Sequence, residues 1–138
     1  MRAFSIYFSR LDDFNAVLKR AMNAGVSRMI ITGTNLTDSN EAISLASDHT
    51  DLYCTVGCHP TRCTEPENDE NGAEGYFERL GALIAEAQQN NTPATTGTSI
   101  IKRVVAIGEC GLDYDRTQFC AKDIQIKSEK IYLSFLCC

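Results

Sequence analysis

Glu109 follows the run Val104-Val105-Ala106-Ile107-Gly108, so a carboxylate stands directly after a short apolar segment, with Gly108 and Gly111 on either side allowing close approach. If that run is a strand, its end delivers the side chain to the rim of a sheet. A carboxylate there suits a divalent cation. One carboxylate can bridge two cations about 3.5–4 Å apart, the arrangement that clamps both oxygens in phosphodiester displacement. The bland alternative is a solvated acidic residue in a loop. Two further apolar runs end in polar residues of the same kind, at Thr34-Asn35-Leu36 and Cys58-His59-Pro60, and Asp113 lies just beyond Glu109. Cys54-x₃-Cys58-His59-x₃-Cys63 raises the question of zinc, but the spacing fits no common structural-zinc pattern. A buried thiol is the better reading of Cys54, which falls inside an apolar run. His49 suits the negative end of a helix. Arg62 and Arg116 could meet a phosphate, although solvated loop arginines read equally well.

Positioning these residues requires alternating elements. Leu11, Phe14, Val17, Leu18, Ala21 and Met22 recur at helical spacing, with Ser9 as a possible cap, Asp12 and Asp13 at the positive end, and Gly25 as the stop. Residues 26–34 follow as a strand whose centre, Met29-Ile30-Ile31, predicts burial on both faces. Asp38-Ser39-Asn40-Glu41 has capping-box chemistry ahead of a short helix with Ile43, Leu45 and Ala46. Residues 52–57 form a second strand. Residues 72–91 form a longer helix with Tyr76, Phe77, Leu80, Leu83, Ile84 and Ala87 on its apolar side. Residues 92–101 read as an exposed polar loop, and 104–108 as a third strand. Strand, helix, strand, helix, strand implies βαβ units and a parallel sheet. In such sheets chemistry collects beyond the carboxyl ends of the strands.

The chain has 138 residues, enough for one domain. Lys plus Arg is 13 against 18 Asp plus Glu, a net charge of −5, which is the wrong balance for a basic, non-specific nucleic-acid binder. No apolar run approaches the roughly 20 residues that span a bilayer, and residues 1–10 lack the apolar stretch of a signal peptide. The expectation is a chain with no membrane partner. Seven cysteines without a secretory signal suggest reduced thiols inside the cell. The closing Cys137-Cys138 is not a C-a-a-X box and reads as having no anchoring role.

The three strand ends, Ile31-Thr32-Gly33-Thr34-Asn35-Leu36, Thr55-Val56-Gly57-Cys58-His59-Pro60 and Ala106-Ile107-Gly108-Glu109-Cys110-Gly111-Leu112-Asp113, occur in order. Together they resemble the TatD family of metal-dependent deoxyribonucleases, particularly its eukaryotic branch, over residues 9–127. The resemblance implies an α/β fold, a (β/α)₈ TIM barrel of the metal-dependent hydrolase type. It further implies hydrolysis of DNA phosphodiester bonds by metal-activated water, with one or two divalent ions (Mg²⁺, Mn²⁺ or Zn²⁺). By position Glu109 is similar to the metal-bridging glutamate. His59 would contact substrate or an outer partner of the metal, and Asn35 and Asp113 would support the mouth. Bound cations would reconcile an acidic chain with a polyanionic substrate. A nuclear or cytoplasmic location is the corresponding expectation.

A barrel of this type takes about 250 residues, so this chain is expected to hold about three to four of eight βα units and to be truncated at both ends relative to the family. The family's first strand carries Asp-x-His-x-His or a variant of it, whereas residues 1–10 contain neither His nor Asp. Residues 128–138 read as a divergent tail. Of the implied metal ligands Glu109 remains, and one carboxylate does not hold a divalent ion in a defined geometry. The resulting expectation is a nuclease relative that is inactive in this form. The alternative is a non-catalytic partial barrel, or a splice or gene-model fragment, acting at most as an interaction module. Open sheet edges would favour self-association and marginal stability.

Overall fold

A computed structural model describes residues 13–89 and 103–136. The proposed cap at Ser9 and the polar stretch 92–101 therefore lie outside the described residues. Helix α1 (Phe14–Asn23) leads to strand β1 (Met29–Ile31), helix α2 (Leu36–Ser47) and strand β2 (Leu52–Val56). A 3₁₀ turn (Pro60–Arg62), the short helix α3 (Thr64–Glu67) and the long helix α4 (Gly72–Gln89) follow, then strand β3 (Val104–Ile107) and helix α5 (Lys122–Leu136). The three strands form one parallel sheet in the order β1-β2-β3. Met29 pairs with Leu52, Ile31 with Cys54 and Val56 with Ile107. A register shift between Cys54 and Thr55 leaves Val105 as an extra residue on β3.

Central strand β2 shows the alternation expected when one face of a sheet is covered. Leu52, Cys54 and Val56 are buried, while Tyr53 and Thr55 on the other face are half-buried. The covered face meets Ala42 and Ala46 of α2 and Phe77, Leu80 and Ile84 of α4. Phe77 packs edge-on against Tyr76 and against Tyr132 of α5, with centroids 5.6 and 5.5 Å away. On the opposite face, the guanidinium groups of Arg28 and Arg103 lie 6.0 and 5.8 Å from the centre of the Tyr53 ring.

The structure overturns the expectation that β1 is buried on both faces, and β3 is open as well. Ile30 is 60% exposed, and in β3 only Val104 is buried, with Val105 and Ile107 open. Among the described residues both strands are sheet edges, and the described helices cover only one face, so an apolar composition does not secure burial here.

The capping-box reading of residues 38–41 is also corrected. Helix α2 starts three residues earlier, where Asn35 Oδ1 accepts from Asp38 N at 2.7 Å. Asp38 lies in the first turn and its carboxylate accepts from the Thr34 hydroxyl. In α1, Asp13 occupies the cap position without a side-chain cap bond. Gly25, with φ of +94°, turns the chain out of the helix as its position suggested. Helix α5 passes through position 127 without a break and buries Gln125, Ser128 and Tyr132. No helix among the described residues is long and apolar enough to cross a membrane.

Candidate active site

Main-chain hydrogen bonds extend the sheet past the strand ends and gather three segments at its carboxyl edge. Thr34 O accepts from His59 N at 2.8 Å, Val56 O from Gly108 N at 2.8 Å, and Gly33 O from Glu109 N at 3.4 Å. Gly57 permits this convergence. A Cβ at that position would stand 2.6 Å from both the nitrogen and the oxygen of Glu109, inside any tolerable contact distance.

The result is a side-chain pair, with His59 Nε2 lying 3.4 Å from Glu109 Oε1. The His59 side chain is 11% exposed and that of Glu109 55%, so a buried imidazole supports a carboxylate open to solvent. Thr61 fixes the imidazole. Its N–H donates to His59 Nδ1 at 3.1 Å, and its hydroxyl oxygen lies 2.7 Å from the same atom. Nδ1 is therefore the acceptor, which places the proton of the neutral ring on Nε2, facing Glu109. In that form Nε2 has no lone pair to offer a metal.

Asn35 is 5% exposed and is occupied at both ends of its amide. Its Oδ1 caps α2, and its Nδ2 donates to Glu65 Oε1 at 3.2 Å. Glu65 also accepts from Arg62 at 3.2 Å and from the Tyr76 hydroxyl at 3.5 Å. The Tyr76 oxygen in turn accepts from Leu36 N at 2.8 Å, and burial holds its phenol well above the usual range. Sequence reasoning did not find Glu65 or Tyr76 as parts of this brace. Glu65 sits in a four-residue helix with no periodic signal, and Tyr76 reads simply as apolar stripe.

Asp113 lies in the same loop as Glu109 but serves its own turn. Its carboxylate accepts from Asp115 N at 3.2 Å, from Arg116 N at 3.1 Å and from Arg116 Nε at 2.6 Å. The two arginines read as possible phosphate ligands thus each pair with a carboxylate, Arg62 with Glu65 and Arg116 with Asp113. His49 lies before β2, at the opposite end of the sheet, with its ring edge-on to Phe14 at 5.5 Å. Gln125 holds the loop after Glu109, accepting from Asp113 N at 2.8 Å and donating to Asp113 O and Cys120 O at 3.0 and 2.8 Å.

Cys54, Cys58 and Cys63 are buried free thiols, as is Cys120, while Cys110 beside Glu109 is exposed. Burial pushes the Cys54 thiol up to about 11. Among the described residues no group of three or more His, Cys, Asp or Glu side chains converges as a metal's ligands would. Glu109 has the exposure and the oriented partner that suit one cation ligand. It does not amount to a metal site by itself.

An arc of parallel strands with its polar residues at the carboxyl edge is the architecture of a partial TIM-type barrel. Over 87% of this chain it is similar to an uncharacterized amidohydrolase from Saccharomyces cerevisiae, with a TM-score of 0.68 and 28% identity, covering 35% of that chain. A profile of the TatD related DNase family matches residues 4–131. The chain belongs to that family. It is 36% identical over 123 residues to the deoxyribonuclease Tat-D of Schizosaccharomyces pombe. Over 106 residues it is 42% identical to the 3'-5' ssDNA/RNA exonuclease TatD of Erwinia tasmaniensis. These matches cover 87% and 75% of this chain but 36% and 32% of the relatives, so the chain spans about a third of their length.

Proposed function

We propose that this chain carries one part of a divalent-metal site for hydrolysis of DNA phosphodiester bonds, with Glu109 as the metal-binding carboxylate, and that it does not turn over DNA by itself. The observation that carries the reading is the His59–Glu109 pair, an oriented imidazole beside an exposed carboxylate at the edge where barrel enzymes do their chemistry. The names of the relatives, a deoxyribonuclease and an ssDNA/RNA exonuclease, support a nucleic-acid phosphodiester as substrate. A bound Mg²⁺, Mn²⁺ or Zn²⁺ would supply the positive charge that activates water and offsets the phosphate. In this reading His59 holds the Glu109 carboxylate in orientation, and Asn35 and Asp113 shape the loops around it. The chain has two histidines, and the second, His49, is at the far end of the sheet. The histidine ligands that the resemblance implies must then come from residues this chain does not hold. The family resemblance supports a nuclear or cytoplasmic location.

Two measurements on the purified, folded chain test this. Paramagnetic Mn²⁺ should broaden the His59 ring resonances selectively, and Glu109→Gln should remove that broadening. Labelled DNA should remain uncut in Mg²⁺, Mn²⁺ or Zn²⁺. Broadening centred elsewhere would overturn the role of Glu109. Cleavage that is abolished both by EDTA and by Glu109→Gln would show that a single chain, or an oligomer of it, assembles a complete site.

A further inference from the structure

We propose that Cys58 and Cys63 form a peroxide-oxidisable dithiol, a modification site built around the backbone of His59. Cys58 leaves the end of β2. Pro60 starts the 3₁₀ turn at Pro60–Arg62, and Cys63 closes it as the cap of α3. The turn folds the chain back, so both sulfurs address one carbonyl. Cys58 Sγ lies 4.0 Å and Cys63 Sγ 3.7 Å from His59 O, so the two thiols share one acceptor. Cys54 Sγ and Cys120 Sγ address other carbonyls, Arg103 O and Ala121 O. The neighbouring Cys58 thiol draws the Cys63 thiol below its ordinary value, giving it the greater thiolate character.

The chemistry balances with hydrogen peroxide as the oxidant. The Cys63 thiolate attacks one peroxide oxygen and the O–O bond breaks. Hydroxide leaves with the electron pair, and Cys63 becomes a sulfenic acid. The Cys58 sulfur then attacks the Cys63 sulfur. The S–S bond forms, the S–O bond breaks, and water departs with the Cys58 proton. In sum two thiols are oxidised and one peroxide is reduced to two waters. A disulfide holds its sulfurs about 2.05 Å apart, closer than any hydrogen-bonded pair of thiols, so closure must tighten the turn that contains His59. Oxidation therefore shifts the imidazole facing Glu109. The dithiol stands whether or not the chain contributes to a nuclease.

Peptide mapping of the full chain reads this directly. The native protein is treated with hydrogen peroxide, remaining thiols are blocked with N-ethylmaleimide, and the chain is digested with trypsin. Cleavage after Arg62 leaves Cys58 and Cys63 on separate peptides, so the bond appears as a linked pair lighter by two hydrogens and separable by dithiothreitol. The linked pair should persist in Cys54→Ser and vanish in Cys58→Ser. In urea, the same treatment should scatter the pairings. Native Cys58 and Cys63 that both remain open to alkylation while exposed Cys110 is oxidised would overturn the proposal. So would a link from either one to another cysteine. Cys54 and Cys58 share one tryptic peptide, so fragmentation of the linked pair between these two residues assigns the bond on the unsubstituted chain, and the reading holds even if a variant fails to fold.

Discussion

Asn35 shows how one side chain can be read correctly in place and differently in role. The strand-end rule puts it at the mouth, where it is found. Its amide, however, is consumed by the start of α2 and by Glu65. Asn35→Ala should cost about 1–2 kcal/mol through loss of the cap, seen as a lower urea midpoint at unchanged slope. Asn35→Asp should fail to restore that midpoint. It keeps a cap acceptor but sets a second carboxylate against Glu65 Oε1, where the amide now donates at 3.2 Å. An Asp variant as stable as the parent would mean that Glu65 does not brace this loop. Glu109 and His59 were legible because each follows an apolar run. Their contact was not, because residues so far apart in sequence meet only through the β2–β3 register and the close approach at Gly57.

Among the elements, α5 was the least legible. Its buried positions Gln125, Ser128 and Tyr132 recur at helical spacing but are polar or mixed, so no apolar stripe marks the side that packs. The Gln125 amide is satisfied locally by Asp113 and Cys120, and the Tyr132 ring rests edge-on against Phe77. Tyr132→Ala should remove about 3–5 kcal/mol, the usual cost of emptying an aromatic site, and a thermal melt by circular dichroism should show it. A melt unchanged by that substitution would mean that residues 128–136 lie outside the cooperative unit. The strands were legible as strands from their apolar runs. Burial was not, because period and composition do not distinguish an edge strand from a central one. Ile30 and Val105 look like core residues in the sequence and face solvent in the fold.

For the molecule as a whole, the described residues form a three-stranded parallel sheet in which no described strand pairs with either edge and one face carries exposed Ile30 and Val105, a template for further strands. Sedimentation velocity should find concentration-dependent association. A single monomeric species with a sharp, reversible melt would show that the edges are protected. The same sheet has a consequence for how the chain can vary. Glu109 is placed by the pairing of β3 to β2 and by the hydrogen bond from its own N–H to Gly33 O. Substitutions at exposed strand positions such as Ile30 can therefore accumulate at small thermodynamic cost while the carboxylate stays opposite its imidazole, whereas a single methyl group at Gly57 cannot.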